Sequence, residues 1–104
     1  MPITDPILLQ FRAALDNTYG ERIERVVLFG SRARGDARED SDYDIAVFLK
    51  ELSDRWKEAD TIAGLAAQVL DETGAFIHAM PYRDGSYAER TPLMHDLRRE
   101  GRDL

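Results

Sequence analysis

Apolar residues recur every three or four positions in three stretches of the chain, the spacing of a helix with one buried face. The first stretch follows Thr4 or Asp5 as the N-cap and stops at Gly20. Pro6 is tolerated in its first turn, because an N–H at that position would have no helical partner. The pattern therefore predicts a first helix that packs on a sheet.

The longest helical pattern begins after Ser53 or Asp54 and ends at Gly74. Its apolar stripe consists of Trp56, Ala59, Ile62, Ala63, Ala66, Val69 and Leu70. Trp56 falls within this stripe, so we expect it to pack in the core rather than to stack on a nucleotide base.

The last helical pattern follows Ser86 or Thr91, with Pro92 at its first position and Gly101 as its stop. Its apolar stripe is short and consists of Leu93, Met94 and Leu97. We expect this helix to cover part of the sheet as well.

Three apolar runs have the length of strands, at residues 26–29, 45–49 and 75–82. The first is continuously apolar, which predicts burial on both faces. In the last run, alternation places Ala75, Ile77 and Ala79 on one face and Phe76, His78 and Met80 on the other. Pro81 has no backbone N–H, so it indicates that this strand lies at a sheet edge.

Length and composition bound what the chain can be. Its 104 residues predict one domain, 1–104, and 43% hydrophobic with 33% charged residues is typical of a folded globular protein. A net charge of −6 disfavours a nucleic-acid partner, because such a surface repels phosphate backbones. Without cysteine there is neither a disulfide nor a thiolate metal site. Without a signal peptide or a long apolar segment, we expect a cytoplasmic protein with no membrane contact.

Candidate chemistry lies where two of the predicted strands meet a turn. The strand at 26–29 ends at Gly30-Ser31, and Asp42-Tyr43-Asp44 opens the next strand. Alternation projects Asp42 and Asp44 from the same side, about 6.5 Å apart along the chain. Paired carboxylates suit Mg²⁺, which takes one or two of them together with water and substrate phosphates. The alternative is a solvated acidic loop without a function between two core strands.

The turn itself has features of a phosphate site. Gly30 allows a backbone to approach a phosphate, and a helix starting at Ser31 would point its free N–H groups at the same anion. Arg32 and Arg34 follow, and a guanidinium can donate two hydrogen bonds to a phosphate at once. Either arginine can equally stand in solvent.

Gly30-Ser31, ten intervening residues and Asp42-x-Asp44 resemble the signature of the polymerase-beta-like nucleotidyltransferase superfamily. The chain is similar throughout to its smallest members, the minimal nucleotidyltransferase (MNT) domains of the antitoxin type. The resemblance implies an α/β (α+β) fold, a small mixed sheet flanked by helices. It implies Asp42 and Asp44 as catalytic, metal-binding residues with Mg²⁺ as cofactor. It also implies a nucleotide site at Gly30, Ser31, Arg32 and Arg34.

One position departs from that family pattern. Superfamily enzymes generally carry a third carboxylate on the strand after the long helix, and here residues 75–82 contain neither Asp nor Glu. His78 is the titratable residue on that strand and the candidate substitute; Asp84, just beyond it, is a weaker one. The alternative is that His78 lies at the edge of the sheet and has no catalytic role. The departure argues against a full two-metal site, although Asp42 and Asp44 suffice for one Mg²⁺–nucleotide complex.

The resemblance predicts an enzyme that transfers AMP from ATP, or another nucleoside monophosphate from its triphosphate, to a protein hydroxyl. MNT proteins of this size are often antitoxins that modify a tyrosine of a HEPN-type toxin, which would be the partner here. The alternative is a binding module that neutralises its partner by occlusion. A free-standing enzyme that modifies a small molecule is disfavoured, because such relatives carry an additional helical domain. Self-association is also left open.

Overall fold

The computed structural model of the chain describes residues 4–38 and 40–104. The expectation about a signal peptide therefore lies partly outside the described residues. Within them the chain forms four α-helices and four strands. The helices are α1 Pro6–Tyr19, α2 Ser31–Arg34, α3 Arg55–Thr73 and α4 Pro92–Glu100. The strands are β1 Ile23–Phe29, β2 Tyr43–Leu49, β3 Ile77–Arg83 and β4 Arg102–Asp103, and 3₁₀ turns cover Gly20–Arg22 and Ser86–Ala88.

The strands form one mixed sheet in the order β3-β2-β1-β4. β1 pairs antiparallel with both β2 and β4, whereas β2 and β3 are parallel. The parallel pair is joined through α3, since parallel strands need a crossover connection. This arrangement confirms the expected α/β class, a small mixed sheet flanked by helices.

Each face of the sheet packs against different helices. α1 and α3 cover one face, where Leu28, Ile45, Ile62 and Phe11 belong to the larger core cluster. α4 covers part of the other face through a smaller cluster formed by Val27, Ala46, Phe48, Met94 and Leu97. Residues of β2 alternate between these two clusters, as the period of a strand requires. Asp44 has the parity of Ala46 and Phe48, so it lies on the α4 side.

The helix ends follow their predicted caps. Asp5 accepts a hydrogen bond from the N–H of Ile7 at 2.8 Å, and Asp54 accepts one from Lys57 at 3.1 Å. Thr91 caps α4 by accepting from Met94 at 3.2 Å. Each cap satisfies a backbone donor that the first helical turn leaves unpaired.

The position of Trp56 contradicts its expected place in the core. Its side chain is 78% exposed, and the buried residues of α3 are Ile62, Ala66 and Val69. Trp56 stands in the first turn of α3, where it lines a groove between α3 and β3. The apolar stripe therefore predicted the helix correctly, but it predicted the burial of Trp56 wrongly.

Strand boundaries also differ from the pattern, and β3 begins at Ile77, two residues after the predicted start at Ala75. β1 begins at Ile23, three residues before the apolar run, because Arg25 and Ile23 still pair with β2 on either side of an irregularity at Glu24. The two-residue β4 has no hydrophobic signal at all. It exists because its backbone pairs with Val27 and Leu28. In the described part of the chain, no helix is long and apolar enough to cross a membrane.

Phe48→Ala tests the smaller cluster on the α4 side. Phe48 is fully buried, and its ring centroid lies 5.6 Å from those of both Tyr82 and Tyr87. Removing the ring leaves a cavity, so we expect the free energy of unfolding to fall by about 3–5 kcal/mol in urea titrations. Leu9→Ala, at a side chain that is 54% exposed, should change it by less than about 0.5 kcal/mol. Equal effects would contradict the assignment of Phe48 to the core.

Candidate functional site

Asp44 lies on the inner strand β2, at the end of the sheet where β1 runs into the Gly30 turn. Its position on β2 pairs with Phe29 of β1 on one side and with His78 of β3 on the other. The side chain of Asp44 is 35% exposed, so the carboxylate is accessible although its strand is buried. Among the described residues, no side chain donates a hydrogen bond to this carboxylate. Its contact with His78 is longer than a hydrogen bond.

Gly30 is in direct contact with Asp44. A Cβ built on Gly30 would lie 2.5 Å from Oδ2 of Asp44, far inside contact distance. The backbone of Gly30 also has φ +75°, a conformation that side chains disfavour. The positive φ therefore favours glycine at this position, and a Cβ would in addition displace the Asp44 carboxylate. The turn and the carboxylate, fourteen positions apart in the chain, meet as the sequence predicted.

Asp42 lies immediately before β2 rather than within it, which corrects the expected strand start. It is exposed, and the neighbouring N–H of Tyr43 donates to the carbonyl of Phe76 at 3.0 Å, so pairing with the β3 side reaches this point. Asp42 shares the parity of Asp44. Its role as a second metal ligand stays a prediction.

His78 lies beside Asp44, on the same face of the sheet. Its Nδ1 is 3.7 Å from Oδ1 of Asp44, and its side chain is 62% exposed. Asp84 does not share this position. It follows β3, and its N–H bonds to the carbonyl of Leu49. Leu49 is five residues along β2 from Asp44, a distance of about 16 Å. Asp84 as substitute for the third carboxylate was therefore wrong, whereas a role for His78 stays a prediction.

The two arginines of the turn contact protein groups. Arg32 lies 4.0 Å above the ring centroid of Tyr43, and its Nε donates to the carbonyl of Ser41 at 2.9 Å. Because Tyr43 belongs to the core cluster on the α1 side, Arg32 reaches the opposite face of β2 from Asp44. Arg34 pairs with Asp36 and with Glu100, both at 3.2 Å, and these carboxylates raise the pKa of Arg34. Their phosphate contacts stay predictions.

Tyr43 is a positioning residue that the sequence reasoning passed over. Its hydroxyl donates to Oδ2 of Asp5 at 2.7 Å, while Oδ1 of Asp5 caps α1. Burial, and then the hydrogen bond to Asp5, raise the pKa of the Tyr43 phenol. Arg32, Tyr43 and Asp5 thus tie the turn, the strand and α1 together. An aromatic residue between two aspartates was the available signal.

The donor set fits a magnesium ion only in part. No group of three or more His, Asp or Glu side chains within 4–38 and 40–104 is arranged to hold a metal. Asp44, with Asp42 nearby in sequence, supplies oxygen donors, and the bare backbone at Gly30 leaves room beside them. Mg²⁺ commonly takes one or two protein carboxylates and completes its shell with water and substrate phosphates. The residues present match that incomplete kind of site.

Comparison with known proteins identifies the family. Residues 13–83 match the family described as Polymerase beta, Nucleotidyltransferase, a span that includes the turn, both aspartates and His78. The chain therefore belongs to this nucleotidyltransferase family. The match ends at Arg83, so α4 and β4 lie beyond it.

Two proteins of Methanocaldococcus jannaschii, both provisionally named protein adenylyltransferases, are similar in sequence. One is 36% identical over 62 residues, covering 60% of this chain and 62% of its own length. The other is 37% identical over 71 residues, covering 68% of this chain and 65% of its own length. The chain thus spans less than two thirds of each of these relatives.

Solved structures share the fold. A provisionally named nucleotidyltransferase from Sulfolobus solfataricus has a TM-score of 0.66 at 17% identity, covering 93% of this chain and 75% of that one. The toxin–antitoxin MntA–HpeT has a TM-score of 0.55 at 19% identity, covering 88% and 68%. A toxin–antitoxin structure with AMP-PNP has a TM-score of 0.56 at 18% identity, covering 89% and 68%.

Gly30→Ala tests the contact between the turn and Asp44, with Gly35→Ala as its matched control. Gly35 has φ +84°, and a Cβ there meets nothing within 4 Å, so both variants strain the backbone but only one displaces a carboxylate. We expect similar losses of stability, about 1 kcal/mol or more, because alanine is strained at positive φ. Affinity for Mg²⁺–ATP, measured by calorimetry, should fall at least about tenfold in Gly30→Ala alone. Equal affinities would contradict a ligand site here.

Proposed function

We propose that this chain is a Mg²⁺-dependent nucleotidyltransferase that moves AMP from ATP to a hydroxyl group of another protein. The observation that carries the proposal is the contact of the Gly30 backbone with the Asp44 carboxylate, in a chain that belongs to the nucleotidyltransferase family. The names of the two archaeal relatives support the choice of AMP and of a protein acceptor.

The proposed reaction is a substitution at the α-phosphorus of ATP. A bond forms between the acceptor oxygen and this phosphorus, the bond to the bridging oxygen breaks, pyrophosphate leaves, and the hydroxyl proton passes to water. Asp42 and Asp44 would hold the cation, and Gly30 with Ser31 would let the phosphates approach the backbone. Bound Mg²⁺ supplies neutralisation of the phosphate charge. The chain's own contribution is therefore positioning, as in phosphoryl transfer generally.

We further propose that the acceptor is a HEPN-type toxin for which this chain is the antitoxin. The fold similarity to the MntA–HpeT toxin–antitoxin, and to a toxin–antitoxin structure with AMP-PNP, supports a nucleotide and a toxin as partners.

Occlusion of the partner without chemistry is the second candidate. It is favoured by one observation: within the described residues, His78 rather than a carboxylate stands opposite Asp44 on β3. In that case the fold acts as a binding surface, and neutralisation of the partner does not depend on Asp42 or Asp44.

Asp44→Asn separates the two candidates. If the chain transfers AMP, incubation of the variant with ATP, Mg²⁺ and the HEPN-type protein should give no acceptor heavier by one AMP in mass spectrometry. We expect a loss of at least about 10³-fold, because an amide cannot replace the charge of a metal-binding carboxylate. Asp42→Asn should lose activity in the same way.

Asp16→Asn is the matched control, since Asp16 is an exposed carboxylate on α1 whose partner is Arg12. It should transfer AMP at the unaltered rate. Full neutralisation of the toxin by Asp44→Asn, without any labelling by the unaltered chain, would establish occlusion instead.

Removal of the cation should act on nucleotide binding before any transfer. With EDTA in excess, the affinity of the chain for ATP should fall at least about tenfold, because the phosphates then face uncompensated carboxylates. Calorimetry with and without Mg²⁺ measures this directly. An affinity that is independent of the cation would contradict a metal role for Asp42 and Asp44.

A further inference from the structure

The outer edge of the sheet at β3 borders an apolar groove that no described part of the chain fills. The groove has a volume of about 460 Å³ and lies between β3 and the outer surface of α3. Three large apolar side chains along it are exposed: Trp56 at 78%, Phe76 at 53% and Leu70 at 39%. Between them α3 presents the small side chains of Ala63 and Ala67, which leave the backbone of β3 approachable.

The hydrogen bonds of β3 show which of its backbone groups face this groove. The N–H of Tyr43 donates to the carbonyl of Phe76, and the N–H of Asp84 donates to that of Leu49. In a parallel pair the N–H and carbonyl of one residue point to the same side. Even-numbered residues of β3 therefore face β2. The backbone N–H and carbonyl groups of the odd-numbered residues, from Ile77 to Arg83, point away from β2.

Pro81 is one of these outward residues. Its missing N–H costs no bond to β2, which explains how proline stands inside a strand of seven residues. It also interrupts the open edge, a device that prevents continued strand addition. The outward donors on the groove side of Pro81 are the N–H groups of Ile77 and Ala79. The edge is thus open over a short length only.

This open length lies next to the candidate site. His78 lines the groove and its Nδ1 is 3.7 Å from Oδ1 of Asp44. Ile77 and Ala79 are buried on the α3 side, whereas His78 lies on the Asp44 side. A strand added here would alternate in the same way, with one set of side chains against α3 and the other over the face that carries Asp44.

We propose that an extended segment of the acceptor protein binds along β3 from Phe76 to Met80 and presents its hydroxyl to Asp44. This inference rests on the proposed function. The segment would have apolar side chains facing Trp56 and Leu70 of α3, with the acceptor hydroxyl on an intervening residue. Main-chain hydrogen bonds to Ile77 and Ala79 supply affinity, and the groove supplies selectivity.

The distances favour a long hydroxyl side chain. An added strand lies about 4.8 Å beyond β3 and about 9.6 Å from β2, which carries Asp44. A tyrosine on the Asp44 side closes much more of this gap than a serine or a threonine. The acceptor segment therefore carries its hydroxyl between two apolar residues, and a tyrosine there agrees with the acceptor that the family resemblance implies.

Amide hydrogen exchange of the full chain, alone and with the HEPN-type protein, tests the proposal residue by residue. The amides of Ile77 and Ala79 should exchange quickly in the free chain and at least about tenfold more slowly in the complex. Those of His78 and Met80 face β2 and should be slow in both states. A complex that forms without protection of Ile77 and Ala79 overturns the proposal.

Two substitutions test the same surface by function. Ala79→Pro removes an outward donor without touching a bond to β2, and Ala63→Arg places a charged side chain in the groove. Each should weaken binding and AMP transfer at least about tenfold while leaving Mg²⁺–ATP affinity unchanged. Arg83→Pro, outward but past Pro81, and Ala13→Arg, exposed on α1, are the matched controls and should have no effect. Equal behaviour of variants and controls overturns the proposal.

Failure of this inference and failure of the proposed function give different results. Transfer of AMP without protection of Ile77 and Ala79 would reject the groove and retain the enzyme. Protection without transfer would retain the groove as a partner site and reject the enzyme. No complex at all with the unaltered chain would reject both.

Discussion

The antiparallel pairing of β1 with β2 is the constraint on which the site depends. It sets Phe29 opposite Asp44, so that the residue after Phe29 arrives beside the carboxylate. A Cβ at Gly30 would displace the Asp44 carboxylate, and Gly30 adopts a positive φ in this turn. A shift of one residue in this register would turn Asp44 into the core and bury a charge. The hydrophobic pattern of β2 therefore holds the site in place.

The two faces of the sheet have different roles. On the α1 side, the buried ring of Tyr43 connects Arg32 to Asp5 and so fixes the turn to the first helix. On the other side, Asp44 and His78 remain accessible, and the buried cluster under α4 includes neither of them. An exposed carboxylate thus stands on a rigid strand, which is the arrangement that positioning chemistry needs.

The edge strand β3 links the site to the outside of the molecule. β3 is buried where α3 lies over Ile77 and Ala79, and exposed at Phe76 and His78. Trp56, in the first turn of α3, stands in solvent beside this edge instead of in the core. Pro81 limits how much of the edge can pair. The groove therefore combines a short open backbone with an apolar wall, and it lies beside the carboxylate face.

The sequence by itself determined the three longer helices, the first three strands, and the residues of the turn and the carboxylate pair. Caps at Asp5, Asp54 and Thr91 and the apolar periods are local signals, and local signals can be read along one chain. The family and the fold class followed from the Gly30-Ser31 and Asp42-x-Asp44 spacing, and the comparisons confirm both.

Only the tertiary structure decided which of these residues meet. Periodicity shows that a residue lies on a stripe but not whether another element covers it, which is why Trp56 was assigned to the core and is exposed. Likewise β4 is created by backbone pairing with β1 and has no pattern of its own. The opposition of His78 to Asp44, and the distance of Asp84 from both, depend on the register of β2 with β3. Register joins residues far apart in sequence, so packing of the whole chain sets it.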